Sequence, residues 1–255
     1  MTGYLTMVRV SMRIQRADVM SPIIMAVLPL ILTPFLLPGA QAQLQAAGFP
    51  DATGVEQVVP GFAALFGFLA VQQIVTGFAR DHEWGTWWRL RAAPVSAVAL
   101  MLGRSTCCLL IQLAQLAFVM TAGSLLFGYR PKGSLLAVCL VMFALAVLLV
   151  AFGVMLVTVF ASPEHALVAA SLGAMVMAGV GGALSPVSTF PQWAQVAAHA
   201  SPAYWALDAM RTLTLTPSGL GDVAIALLAM TGFTVAFGLV AVLRFRPAQR
   251  KAGLS

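Results

Sequence analysis

Six stretches of this chain, at about 19–37, 58–79, 105–127, 134–160, 166–184 and 223–243, are predominantly apolar over 19 or more consecutive positions. A helix rising about 1.5 Å per residue crosses roughly 30 Å of hydrocarbon in about 20 residues, so each stretch is long enough to span a membrane. Hydrophobic residues make up 60% of the 255 positions, with a mean hydropathy of +0.94, far more than a soluble domain of this length can bury. Backbone groups inside lipid must find partners within their own segment, which makes the spans helices. The expected fold is therefore an all-α integral membrane protein, a single domain over 1–255 with six transmembrane helices.

Six crossings put both termini on one side, and the basic residues say which. With the N-terminus inside, the cytoplasmic parts hold Arg9, Arg13, Arg16, Arg80, Arg89, Arg91, Arg104, Arg244, Arg246, Arg250 and Lys251, against Arg130, Lys132 and Arg211 outside. The net charge of +6 is thus a matter of membrane orientation and contact with anionic lipid, and nucleic acid is not an expected partner. Ala40-Gln41-Ala42 resembles a signal-peptide cleavage site, but the apolar run before it exceeds the 7–15 residues of a signal peptide's apolar region.

Along the chain, residues 2–16 place Leu5, Val8 and Met12 on one stripe and Arg9, Arg13 and Arg16 on another, the pattern of an N-terminal helix lying in the cytoplasmic interface. Pro22, Pro29 and Pro34 predict a kinked first span, ended by Pro38-Gly39. Gly39–Gln57 and the link Tyr129–Gly133 fall on the external side. Ser162 followed by Pro163 predicts a clean start for the fifth span, whose Ala170, Ala174, Ala178 and Gly182 form one small-residue face for close helix approach. Residues 185–221 are too interrupted to cross the membrane. Pro191 predicts a helix to about Ala200, and Ser201-Pro202 a second to about Leu213, together an external re-entrant or surface-lying hairpin in which Asp208 and Arg211 are spaced to pair.

No Asp, Glu, Lys, Arg or His lies within the six stretches as drawn, which argues against an ion-coupled carrier. His82, His165 and His199 are scattered over separate loops, and Cys107, Cys108 and Cys139 are read as packing residues, so neither a catalytic group nor a metal site is expected. The sequence holds no G-x-x-x-x-G-K-[ST] loop, and the chain does not bind ATP by that route.

Between the second and third stretches lies Arg80–Val95, rich in charge and tryptophan. As a short helix it sets Trp84, Trp87 and Trp88 on one stripe suited to the headgroup boundary, with Arg80 and Glu83 facing elsewhere. A topogenic loop with aromatic anchors is the alternative reading of the same residues. Within it, Glu83-Trp84-Gly85-Thr86-Trp87-Trp88-Arg89-Leu90-Arg91-Ala92-Ala93-Pro94 resembles the E-x-G-T-x-x-R-L-x-x-x-P segment of ABC-2 type permeases, the membrane subunits of ATP-binding-cassette exporters. A second resemblance to that family is P-x-x-x-x-P-x-W from Pro186 to Trp193, followed by Ser201-Pro202-Ala203-Tyr204-Trp205-Ala206-Leu207-Asp208-Ala209-Met210-Arg211. Ser201 stands where the family often has Asn, and Trp87-Trp88 where polar or acidic residues are common. By size the chain looks most like the drug- and antibiotic-exporting permeases of bacteria with high-GC genomes.

The resemblance implies that Glu83, Gly85, Thr86, Arg89, Leu90 and Pro94 belong to a cytoplasmic coupling helix seated in a separate ATPase subunit, which holds the ATP and Mg while this chain holds no cofactor. It further implies a second permease copy, identical or different, a bacterial plasma-membrane location, and a lipophilic cargo passing between the copies. Pro202, Tyr204, Asp208 and Arg211 become candidates for an external hairpin or gate. Gln72, Gln73, Gln112 and Gln115 are the span residues best able to contact cargo, or else to hydrogen-bond between helices. Export of a lipid or lipid-linked glycan, or a membrane-embedded enzyme or assembly factor, are the alternatives.

Overall fold

The computed structural model describes residues 8–13, 20–83 and 97–244, with backbone alone for 79–83 and 97–100. Residues 8–13 are helical, within the expected interfacial helix, and the remainder of that segment lies outside the described residues. Nine labelled helices follow: α1 (Met20–Ala46), α2 (Val55–Leu69), α3 (Val71–Glu83), α4 (Ala97–Phe127), α5 (Leu135–Val159), α6 (Pro163–Val180), α7 (Gln192–Ala198), α8 (Pro202–Leu215) and α9 (Ala224–Arg244), with a 3-10 turn at Val187–Thr189. No strand occurs among the described residues. Six helical stretches, Met20–Ala46, Val55–Phe78, Met101–Phe127, Leu135–Val159, Pro163–Val180 and Ala224–Arg244, are long and apolar enough to cross a membrane.

The first span is longer than expected, because Pro38-Gly39 does not end it: Pro29, Pro34 and Pro38 all lie inside α1. A proline in a span costs one hydrogen bond, and the helix survives where the freed groups find another partner. The carbonyl of Met25, left open by Pro29, lies 3.5 Å from Gln115 Nε2 on α4. The real stop is Gly48, at φ 96°. Its N–H donates to Gln45 O at 3.1 Å and the N–H of Phe49 to Leu44 O at 3.1 Å, and Phe49 packs on the cluster that holds Leu44. Both backbone bonds and the apolar contact are those of the left-handed cap that glycine favours. The fifth span, expected to reach 184, stops early by the same device, with Gly182 at φ 89° and the Ala183 N–H donating to Ala178 O.

Helices α2 and α5 form the interior. In Val55–Phe78, 78% of the most apolar window is buried, against 17% for the first and sixth spans. Around α5, whose Leu145, Ala146, Leu148 and Leu149 are fully enclosed, pack α3, α4, α6, α8 and α9. Of the expected small-residue face, Ala170, Ala174 and Ala178 are buried, together with Ala166, where α6 meets α2 and α3, while Gly182 lies beyond the helix in its cap. At the end of that face Gly61 of α2 lies against the carbonyl of Ala183 so closely that a Cβ would collide with backbone.

The contrast between Gly61 and Gly39 is directly testable. Gly61→Ala forces α2 and α6 apart and should destabilise the protein by about 1–3 kcal/mol, whereas a Cβ at Gly39 meets nothing within 4 Å and Gly39→Ala should add up to about 1 kcal/mol through helix propensity. Thermal unfolding of the two variants in lipid nanodiscs, with opposite shifts expected, checks this.

Candidate functional site

The loop side of the bundle is organised by α8. Ser201 caps it: Oγ accepts from the Ala203 N–H at 3.2 Å and donates to Met177 O at 2.6 Å, tying the start of α8 to the last turn of α6. Pro202 takes the first helical position, as expected. There is no room for a side chain at Gly181, where a Cβ would stand 2.7 Å from both Ala203 Cβ and the Tyr204 nitrogen. One face of α8, including Ala206, Leu207, Met210 and Leu213, is buried in the main core, and the helix contacts α2, α5, α6 and α9. Tyr204 and Trp205 stack with His199 at the junction of α7 and α8, with ring centroids 4.4 Å and 5.8 Å from the imidazole, and Trp205 Nε1 donates to His199 O at 3.0 Å.

The expected Asp208–Arg211 pair is replaced. Arg211 donates through Nε (3.3 Å) and Nη2 (3.0 Å) to Gln57 Oε1, and Gln57 Nε2 donates to Gly182 O at 2.8 Å. This three-part bridge joins α8, the first turn of α2 and the end of α6. The fork of a guanidinium can make both bonds to one amide oxygen, and the amide's other end then closes the open carbonyl of the α6 cap. Burial pulls the Arg211 guanidinium below its ordinary value, opposed by the charge of nearby Asp208 and by Tyr204. Tyr204 is pushed up by burial and by Asp208, with Arg211 acting against them. The same guanidinium lines a cleft of about 650 Å³ shared with Gln43, Phe49, Ser188 and Thr189.

The α4–α5 link docks on the other end of α8. Tyr129 is buried, its hydroxyl 2.7 Å from Thr214 Oγ1, while the Gly133 N–H donates to Leu213 O at 2.8 Å and the Ser134 N–H to Ser218 O at 2.9 Å. Burial pushes the Tyr129 phenol up to about 12, Glu56 adds to the rise, and the Thr214 bond opposes it.

Midway along the second span, at Ala70, α2 gives way to α3, and the carbonyls near this break meet two glutamines of α4. Gln112 Nε2 donates to Gly67 O at 3.1 Å and Gln115 Nε2 to Phe66 O at 3.2 Å. Gln72 and Gln73 stand on the first turn of α3, and Gln73 Nε2 is buried without a hydrogen-bond partner. At the far end of the span, Arg104 stands on the part of α4 that precedes the expected third span; it is buried, with its guanidinium 5.9 Å from the centroid of the Phe78 ring. Glu56 falls in the first turn of the second span, where its carboxylate accepts from the Thr53 N–H at 3.1 Å. Of the expected coupling segment, Glu83 ends α3, and Gly85, Thr86, Arg89, Leu90 and Pro94 lie outside the described residues.

Gln57, Tyr129 and Arg104 were missed as site residues by sequence reading. Gln57 and Arg211 are separated by 154 positions, and no local spacing connects them. A lone amide at the head of an otherwise apolar run was the available signal.

The sequence profile described as ABC-2 family transporter protein matches residues 12–243. Among curated relatives, the probable multidrug ABC transporter permease YbhR of Escherichia coli strain K12 is 25% identical over 191 residues, as is its counterpart in strain O157:H7. That alignment takes in 74% of this chain and 52% of either relative, so the chain spans about half the length of the curated relatives it matches.

Tyr129 yields a pH test. Between pH 10 and about 12 the native state keeps a proton that the unfolded chain releases, so stability contributed by the buried phenol is complete below pH 10 and is lost as pH rises through that window, by roughly 2–3 kcal/mol. Tyr129→Phe should melt within about 1.5 kcal/mol of wild type at pH 7 and lack this alkaline decline relative to wild type, since Thr214 keeps its bond to Met210 O. Paired denaturation curves from pH 9 to 12 measure the difference.

Proposed function

The chain belongs to the ABC-2 transporter family, and on that premise we propose that it is the permease subunit of an ATP-driven exporter, moving a lipophilic or amphipathic drug-like molecule out of a bacterial cell. Both termini face the cytoplasm of the plasma membrane, a separate ATP-binding-cassette subunit hydrolyses the ATP, and a second permease copy completes the cargo path. The relative's printed description as a multidrug permease supports this class of cargo.

What supports the reading is the position of the Glu83–Pro94 motif in the chain, between the second and third candidate spans. It follows α3 and precedes α4, and α4 is bonded through Gln112 and Gln115 to α2, the helix that α3 continues, so a push at the motif acts on both sides of that contact. From Glu83 back to Gln57 the α3–α2 column runs 26 residues, about 40 Å at helical rise, and ends on the bridge to Arg211. Closure of the ATPase subunits thus moves the cytoplasmic foot of a column whose head holds the external hairpin. This is a rigid-body route of the kind that switches packed helices between two arrangements. Gln73, with its free buried amide nitrogen beside the break, is the glutamine of the four best placed to meet cargo.

Two variants test the two ends. Glu83→Ala combined with Arg89→Ala should lower co-purification with the ATPase subunit, and drug-stimulated hydrolysis, by at least about tenfold at an unchanged melting temperature. Wild-type association and export in that variant would remove the coupling assignment. Asp208→Ala should change the export rate of a lipophilic dye while ATPase association stays within about twofold. An unchanged rate would confine Asp208 to a structural role.

A further inference from the structure

Between α4 and α5 runs an apolar groove of about 660 Å³ that the bridge and the break do not use. Its walls extend on α4 from Leu113 to Leu125 and on α5 from Leu135 to Phe143. The twelve helical rises from Leu113 to Leu125 cover about 18 Å on the α4 wall and the eight from Leu135 to Phe143 about 12 Å on the α5 wall, close to one leaflet's share of a roughly 30 Å hydrocarbon layer. Leu125, Leu135, Leu136 and Phe143 are exposed along it, so the groove opens on the outer surface of the bundle.

The α4–α5 link, which closes one end of the groove, carries two cations next to the residues that line it. Tyr129 and Pro131 line it, and the residues alternating with them, Arg130 and Lys132, are both exposed. Tyr129 is locked by its bond to Thr214, and Gly133 and Ser134 by theirs to Leu213 and Ser218, so the two cations sit on a link fixed to the bundle at the mouth. An apolar slot of one-leaflet depth with two cations at its interfacial end matches an acyl chain below a phosphate.

We propose that this groove is a binding site for an anionic glycerophospholipid of the leaflet on the side of the link, one acyl chain lying between α4 and α5 and the phosphate held by Arg130 and Lys132. The site is independent of which side of the membrane the link faces and of the cargo class. Neutral boundary lipid would fill the groove without regard to the cations, whereas each cation near a membrane surface strengthens an anionic lipid several-fold.

The full chain in vesicles containing phosphatidylglycerol with a diazirine in its acyl chain, or phosphatidylcholine with the same chain, tests this by photolabelling and mass mapping. Phosphatidylglycerol should label the 113–143 region in preference to phosphatidylcholine. Arg130→Gln with Lys132→Gln should cut that labelling about tenfold and leave phosphatidylcholine labelling unchanged. Ala117→Trp, which fills the groove from its exposed wall, should abolish labelling in the region while melting as wild type. Equal labelling by both lipids, indifference to the charge variants, a cross-link to a second copy across the groove, or labels confined to other helices would each overturn the proposal.

Discussion

A carbonyl left open in a lipid-embedded helix has no water to turn to, and at several irregular points of this molecule a glutamine amide reaches the backbone carbonyl. Gln115 reaches the Met25 carbonyl freed by Pro29 and the Phe66 carbonyl near the break in the second span; Gln112 takes Gly67; Gln57 takes Gly182 at the end of α6. An amide is suited to this because it donates and accepts at once without bringing a charge into hydrocarbon. Gln57 uses both ends, closing a carbonyl with its nitrogen and receiving Arg211 with its oxygen. The proline-bearing first helix, the second with its irregular turn at Ala70 and the capped fifth are thereby tied to their neighbours.

Close packing of small residues does the complementary work. With lipid as apolar as leucine, helices gain little from hiding hydrophobic side chains and more from letting backbones approach. The alanine face of α6 presents only methyl groups to α2 and α3, and at Gly61 on the Ala183 carbonyl and Gly181 on α8 not even a methyl group has room. Contacts of this kind do not deform gradually. A bundle built on them is suited to moving as a body, the behaviour that the proposed coupling route needs.

How much could be read from the chain differs sharply from feature to feature. The helices, the Ser201-Pro202 and Ser162-Pro163 starts and the alanine face of α6 depend on length, hydropathy or a spacing within a few residues, and all are visible in the order of the amino acids. The run of α1 through Pro38-Gly39 was hidden, because a proline's effect depends on whether another helix completes the lost bond, and that helix carries its glutamine 90 positions away. The burial of Arg104 was hidden, because the room for its guanidinium comes from Gly77 and the Phe78 ring on another helix. The Asp208–Arg211 pair was a sound inference from a three-residue spacing, yet Gln57 offered Arg211 a buried acceptor that local spacing cannot reveal.

Sequence by itself determined that this is a multi-pass helical membrane protein and where the Ser-Pro starts of α6 and α8 fall, since each follows from the chemistry of consecutive residues in a solvent without hydrogen bonds. Tertiary structure alone decided how far the helices run, which glutamines serve backbone rather than open space, and that Arg211 binds α2. Those outcomes turn on partners brought together from distant parts of the chain, and only packing chooses among the many groups a polar side chain could satisfy.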